Sequence, residues 1–104
     1  MSARINDANN DQSTATIPAS TGLLAAGRPN ASTKRFYRNG AQVGADVARA
    51  STALFNDNIL LGNNNGTISA YQFAMFFAGG SLTSVEHAAL YAAALAYMQG
   101  VGAA

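Results

Sequence analysis

Residues 33–47 read TKRFYRNGAQVGADV, and the Asn39-Gly40 pair inside this stretch decides the fold. Asn-Gly suits a type I′ turn, because both central positions need positive φ and these two residues tolerate it best. The flanking runs, 33–38 and 41–47, then pair as an antiparallel hairpin. Successive side chains of a strand point to opposite faces. Lys34, Phe36 and Arg38 therefore share one face of the first arm, and Arg35 and Tyr37 the other. Three cations on one arm suggest an exposed sheet edge or rim.

Upstream, residues 22–28 (GLLAAGR) are crowded by Gly22, Gly27 and Pro29. The run is too short for a stable helix, so a strand is preferred over a helical turn. Residues 13–17 (STATI) alternate hydroxyl and apolar side chains, a strand signal closed by Pro18. Residues 1–12 are rich in Asn and Asp and read as a polar loop, or as a short edge strand over 3–6. Downstream, 48–57 is a connection, 58–62 (NILLG) a short apolar strand, and 63–66 (NNNG) a loop. Residues 69–78 (SAYQFAMFFA) are the strongest strand signal. Tyr71, Phe73, Met75 and Phe77 fall on one face, and Ala74, Phe76 and Ala78 on the other. A strand apolar on both faces has to be covered on both sides. A second sheet and the C-terminal helix are the expected covers.

That helix is placed over 83–99. Thr83-Ser84-Val85-Glu86 is a capping box, in which the Thr83 hydroxyl accepts from the Glu86 amide and Glu86 reaches back to the Thr83 amide. Leu82 and His87 hold the two positions of a hydrophobic staple, and Gly100 and Gly102 end the element. Leu90, Ala94, Tyr97 and Val101 lie near one face, with Tyr91, Leu95 and Met98 beside them. The rest of the helix is mostly Ala and almost free of charge, which suggests a crowded location or a partner surface. No helix intervenes between strands, which argues against a parallel sheet. The expected fold is mainly β: an antiparallel β-sandwich with one C-terminal α-helix, a single module over 1–104.

Composition narrows the chemistry. The 104 residues carry six Lys+Arg against five Asp+Glu, a formal charge of +1, and only 11% are charged. Nucleic acid is therefore not the expected partner, since polyanion binders carry a basic excess. Hydrophobic residues make up 49%, but 23 of the residues are Ala, so the core rests on the larger aliphatics and nine aromatics. The chain has no Cys and one His, which removes disulfides, thiolate chemistry and a two-His metal site. The most apolar long stretch, 85–101, contains Glu86, His87 and Gln99, so no membrane insertion is expected.

The run Phe36-Tyr37-Arg38-Asn39-Gly40-Ala41-Gln42-Val43-Gly44 resembles the Y-x-N-G-x-x-V hairpin of laminin-G-like, concanavalin A-like jelly rolls. The strand at 58–62 and the Asn/Gly loop follow in the family's order. Gly79-Gly80-Ser81-Leu82-Thr83-Ser84-Val85-Glu86 then resembles the closing G-x-L-[ST]-x-x-E, with Leu90, Tyr91 and Tyr97 at positions of the family's short terminal helix. The Ala- and Asn-rich flavour is similar to such domains in phage and prophage structural proteins. The resemblance covers about 20–101. It implies a jelly roll that is reduced, completed by another chain, or cut to its second half, because a full domain is nearly twice as long. It also implies a non-enzymatic virion module that mediates assembly or attachment through contacts with other virion proteins or with copies of itself. A capsid decoration or neck/tail protein is one form. The alternative is a glycan- or receptor-binding, lectin-like module of a tail fibre.

No cofactor or metal is expected. The glycosidases that share the concanavalin-like fold carry a closely spaced acidic pair on one strand, and nothing of that kind occurs here. Asp7 and Asp11 with their Asn neighbours lack the glycine and closing Glu of an EF-hand. Glu86 has a sufficient role as a cap, and Asp46 and Asp57 read as loop or hairpin carboxylates. His87 reads as a packed or surface side chain. Lys34, Arg35 and Arg38 with Phe36 and Tyr37 form the one basic-aromatic cluster, which reads first as a solvated arm. For a glycan, the candidate contacts are Tyr37, Asn39, Asn63, Asn64 and Asn65, with Tyr71 behind them.

Overall fold

Asn39 and Gly40 both take positive φ, 51° and 79°, as the type I′ turn requires. The computed structural model describes residues 2–3, 11–13, 15–16, 21–53, 63–64, 66–68 and 72–103. Its strands are β1 (Ser2–Ala3), β2 (Asp11–Gln12), β3 (Leu24–Asn30), β4 (Thr33–Arg38), β5 (Ala41–Gln42), β6 (Val47–Ala48), β7 (Asn63–Asn64) and β8 (Thr67–Ile68). One helix follows, α1 (Ser84–Gly100). The architecture is mainly β with a C-terminal helix.

β3, β4, β5 and β6 form an antiparallel four-stranded sheet with β4 at its centre. β3 pairs along β4 from Leu24↔Arg38 to Gly27↔Arg35, slips register, and closes at Asn30↔Thr33. Pro29 falls in the slip, where a missing N–H costs the ladder nothing. The expected single arm over 41–47 is broken into β5 and β6. β5 pairs as Tyr37↔Gln42 and β6 as Lys34↔Val47, so residues 43–46 bulge out with Gly44 at φ 75°. The bulge also corrects the expectation of an exposed edge: β4 has strands on both sides, and its burial is that of a central strand. β1–β2 and β7–β8 are separate two-stranded antiparallel ribbons. The NNNG stretch is thus not wholly loop: Asn63 and Asn64 enter a ladder with Ile68 and Thr67.

Cross-strand partners share a face. Ala25, Gly27, Arg35, Tyr37 and Gln42 lie on one side of the sheet, and Leu24, Ala26, Lys34, Phe36, Ala41 and Val47 on the other. Phe36 and Tyr37 are the two buried hydrophobic side chains among the described residues. α1 packs on the Tyr37 side, against β5 and the type I′ turn.

α1 starts as expected. Thr83 Oγ1 accepts from the Glu86 amide at 3.3 Å, and Glu86 Oε2 accepts from the Thr83 amide at 2.7 Å. It ends in a Schellman motif: the Gly102 amide donates to Gln99 O and the Ala103 amide to Met98 O, with Gly102 at φ 74°. The inward stripe is His87, Leu90, Tyr91, Ala94, Leu95 and Met98, a period of three and four; Tyr97 and Val101, expected on it, are exposed.

Two expected strands fare differently. The described part of 69–78, residues 72–78, carries no strand, and Phe73, Phe76 and Phe77 are 58%, 51% and 49% exposed. Apolar alternation satisfies a strand template, but a strand also needs a ladder partner, and residues 72–78 pair with none among the described residues. Residues 13, 15 and 16 are likewise not in a strand. The strand expected at 58–62 lies outside the described residues.

Candidate functional site

The face of the sheet away from α1 holds an ion cluster. Lys34 is fully buried, and its ammonium lies 2.6 Å from Asp11 Oδ2. Arg49, just after β6, grips the same carboxylate with both arms of its fork, Nε to Oδ2 at 3.0 Å and Nη2 to Oδ1 at 2.7 Å. The Arg49 hydrogen bonds, then that of Lys34, hold the Asp11 carboxyl well below the usual carboxylate range against the opposing effect of burial. This cluster ties β2 to the four-stranded sheet. It is the reverse of a solvated arm, and it occupies Asp11 with cations rather than leaving it for calcium.

On the helix side, the 43–46 bulge brings Asp46 over β4. Arg35 donates to it through Nε at 2.7 Å and Nη2 at 2.8 Å, and Gln42 Nε2 adds a bond at 2.9 Å. Arg35 lowers the Asp46 pKa, and Asp46 raises that of Arg35. Arg38 donates to Thr21 O, and Arg28 Nη1 to Arg49 O at 2.6 Å. The basic-aromatic cluster is therefore split between two faces, and each of its cations serves an internal contact.

Tyr37, a candidate glycan platform, is only 2% exposed. His87 lies on its ring, centroids 3.8 Å apart with planes inclined by 23°, and the Tyr37 hydroxyl meets Ser84 Oγ at 3.3 Å. The carboxamide oxygen of Asn39 accepts from the Leu23 amide at 3.0 Å, so it anchors the turn to the segment before β3. Asn63 and Asn64 sit in β7 beside the turn at Gly66. Asn65 and Tyr71 lie outside the described residues, as do Asp7 and Asp57. The five candidates are thus not one convergent patch: Tyr37 and Asn39 belong to the helix-covered hairpin, and Asn63 and Asn64 to another sheet.

The exposed apolar surface is elsewhere. Phe73, Phe76 and Phe77 precede the helix, and the outward side of α1 presents Val85 at 80% exposure, Ala89, Ala92, Ala93, Ala96 and Tyr97. No Lys or Arg occurs anywhere in α1, and Glu86 is its one carboxylate. Reading 69–78 as a covered strand hid this surface. The clue was Phe76 beside Phe77: adjacent Phe residues in a strand demand cover on both faces at once.

No protein-family model, curated protein or solved structure matches this chain.

Proposed function

We propose that this chain is a non-enzymatic structural module that works through protein–protein contacts, in assembly or attachment of a phage or prophage particle. The observation that carries the contact reading is the trio of half-exposed rings at 73, 76 and 77, in the segment before a helix whose exposed side is mostly Ala with Glu86 as its one charge. Exposed aromatic clusters of this kind mark interaction surfaces. The buried core among the described residues is small, two aromatic side chains, so a partner has much to add. The described carboxylates are committed: Asp11 and Asp46 to cations, Glu86 to the helix cap. The virion setting rests on the Ala- and Asn-rich flavour of the sequence, and the idea that another chain completes a jelly-roll sandwich rests on the motif order from the hairpin to the G-x-L-[ST]-x-x-E stretch. A tail-fibre lectin draws less support, because the Tyr37 ring is covered by His87 and the Asn39 carboxamide oxygen is engaged.

Replacing Phe73, Phe76 and Phe77 together by Ser tests the reading. The variant is expected to fold, since none of the rings is buried, and to lose self-association measured by light scattering. An unchanged association profile argues against it. Saturable binding on a glycan array, removed by substitution of Asn63 and Asn64, would favour the lectin instead.

A further inference from the structure

The chain has one histidine, and it sits where a charge is least welcome. His87 lies in the first turn of α1, 5% exposed, flat on Tyr37. Its Nε2 is the one buried side-chain polar atom without a hydrogen-bond partner among the described residues. The ring reaches Gly27 of β3: a Cβ there would stand in ordinary contact, 3.6 Å from Nε2 and 3.5 Å from Ser81 Oγ.

The surroundings favour the neutral ring. Facing it are the Tyr37 phenol from β4 and Gly27 from β3, neither of them anionic. On the same face Arg35 is matched by Asp46, which leaves no spare carboxylate there among the described residues. Ser81, from the segment before the helix, borders Gly27 on the same side. On α1 itself stand Tyr91, one turn on, and Glu86, whose carboxylate is exposed and holds the Thr83 amide. The helix N-terminus adds its own positive end.

We propose that His87 is an acid-sensitive latch: protonation of the imidazole drives it off Tyr37 and undocks α1 from the four-stranded sheet. Undocking would uncover the Tyr37 face and the helix stripe of Leu90, Tyr91 and Leu95. Burial lowers the His87 pKa from 6.5, and the Glu86 charge opposes this only in part. The docked state therefore binds fewer protons than the undocked one. Docking is intact above about pH 6.5 and weakens as pH falls below it, by up to about tenfold per pH unit. Asp11 and Asp46 hold their protons off to lower pH than ordinary carboxylates, so the sheet's ion pairs outlast the latch.

The test is a pH titration of the full chain from 7.5 to 4.5. Proton NMR follows the single imidazole without ambiguity, and amide exchange, corrected for intrinsic rate, follows α1 against β4. The expected result is an imidazole midpoint below 6.5, with helix protection lost in that range while β4 protection persists. His87→Phe keeps the stack and should abolish the pH dependence between 6.5 and 4.5. A midpoint at or above 6.5, helix protection that does not change, or the same pH dependence in His87→Phe overturns the proposal. If that variant does not fold, the wild-type titration and exchange decide it.

Discussion

Gly40 is where the hairpin turn and the helix press together, and Gly40→Ala should be among the costliest small changes in the chain. Two penalties combine. At φ 79° a Cβ meets the backbone, a cost of about 1–2 kcal/mol. The same Cβ would lie 2.8 Å from Ala88 Cα and 3.1 Å from both His87 O and Tyr91 Cβ. Those are mostly helix backbone atoms, which cannot swing aside, so the turn or the helix has to move, at about 1–3 kcal/mol. The sum, about 2–5 kcal/mol, lowers Tm by roughly 10–25 °C in a domain of this size. Gly40→Asn separates the two parts: Asn accepts positive φ, so only the crowding should remain, about 1–3 kcal/mol. Gly27→Ala is the control. Its Cβ meets neighbours at 3.5 and 3.6 Å, ordinary contact, and its backbone needs no positive φ. It should be neutral or stabilising by about 0.4–1 kcal/mol. Urea unfolding followed by far-ultraviolet circular dichroism reads all three. A Gly40→Ala protein within about 0.5 kcal/mol of the parent would refute the packing of α1 on the turn.

Three further outcomes follow from the same contacts. Phe36→Ala should cost about 3–5 kcal/mol by chemical denaturation, since the ring is fully buried, whereas Phe76→Ser should stay within about 0.5 kcal/mol. Asp11→Asn should depress Tm more than Lys34→Met. The first removes the carboxylate facing a buried ammonium, while the second puts an apolar chain in its place and leaves Arg49 on Asp11. Thr83→Ala should cost about 1 kcal/mol and raise amide exchange at the start of α1, because it removes the acceptor of the Glu86 amide.

Local signals were the legible part of this fold. Asn-Gly, the capping box and Gly102 each act over a few residues, and each takes the conformation its chemistry demands. The 43–46 bulge was not legible, because 41–47 reads as one arm and the register slip between Tyr37↔Gln42 and Lys34↔Val47 is set by pairing with β4. Lys34 was misplaced for a similar reason. Alternation puts it beside Phe36, but only its counter-charge, Asp11 in a remote Asn-rich run, makes burial tolerable. Residues 72–78 show the limit of periodicity: the pattern describes which faces would be apolar, not whether a neighbouring strand exists. The candidate site suffered in the same way. Tyr37 and Asn39 have the right chemistry for a ligand, yet His87 and Leu23, distant in sequence, claim them first.

The contact reading is tested most directly by the solution mass of the unmodified chain, by sedimentation equilibrium across the micromolar range at neutral pH. The expected mass lies above the 10.6 kDa of one chain and rises with concentration as the 73–77 surface is covered. A single 10.6 kDa species at every concentration, unfolding cooperatively, would contradict it.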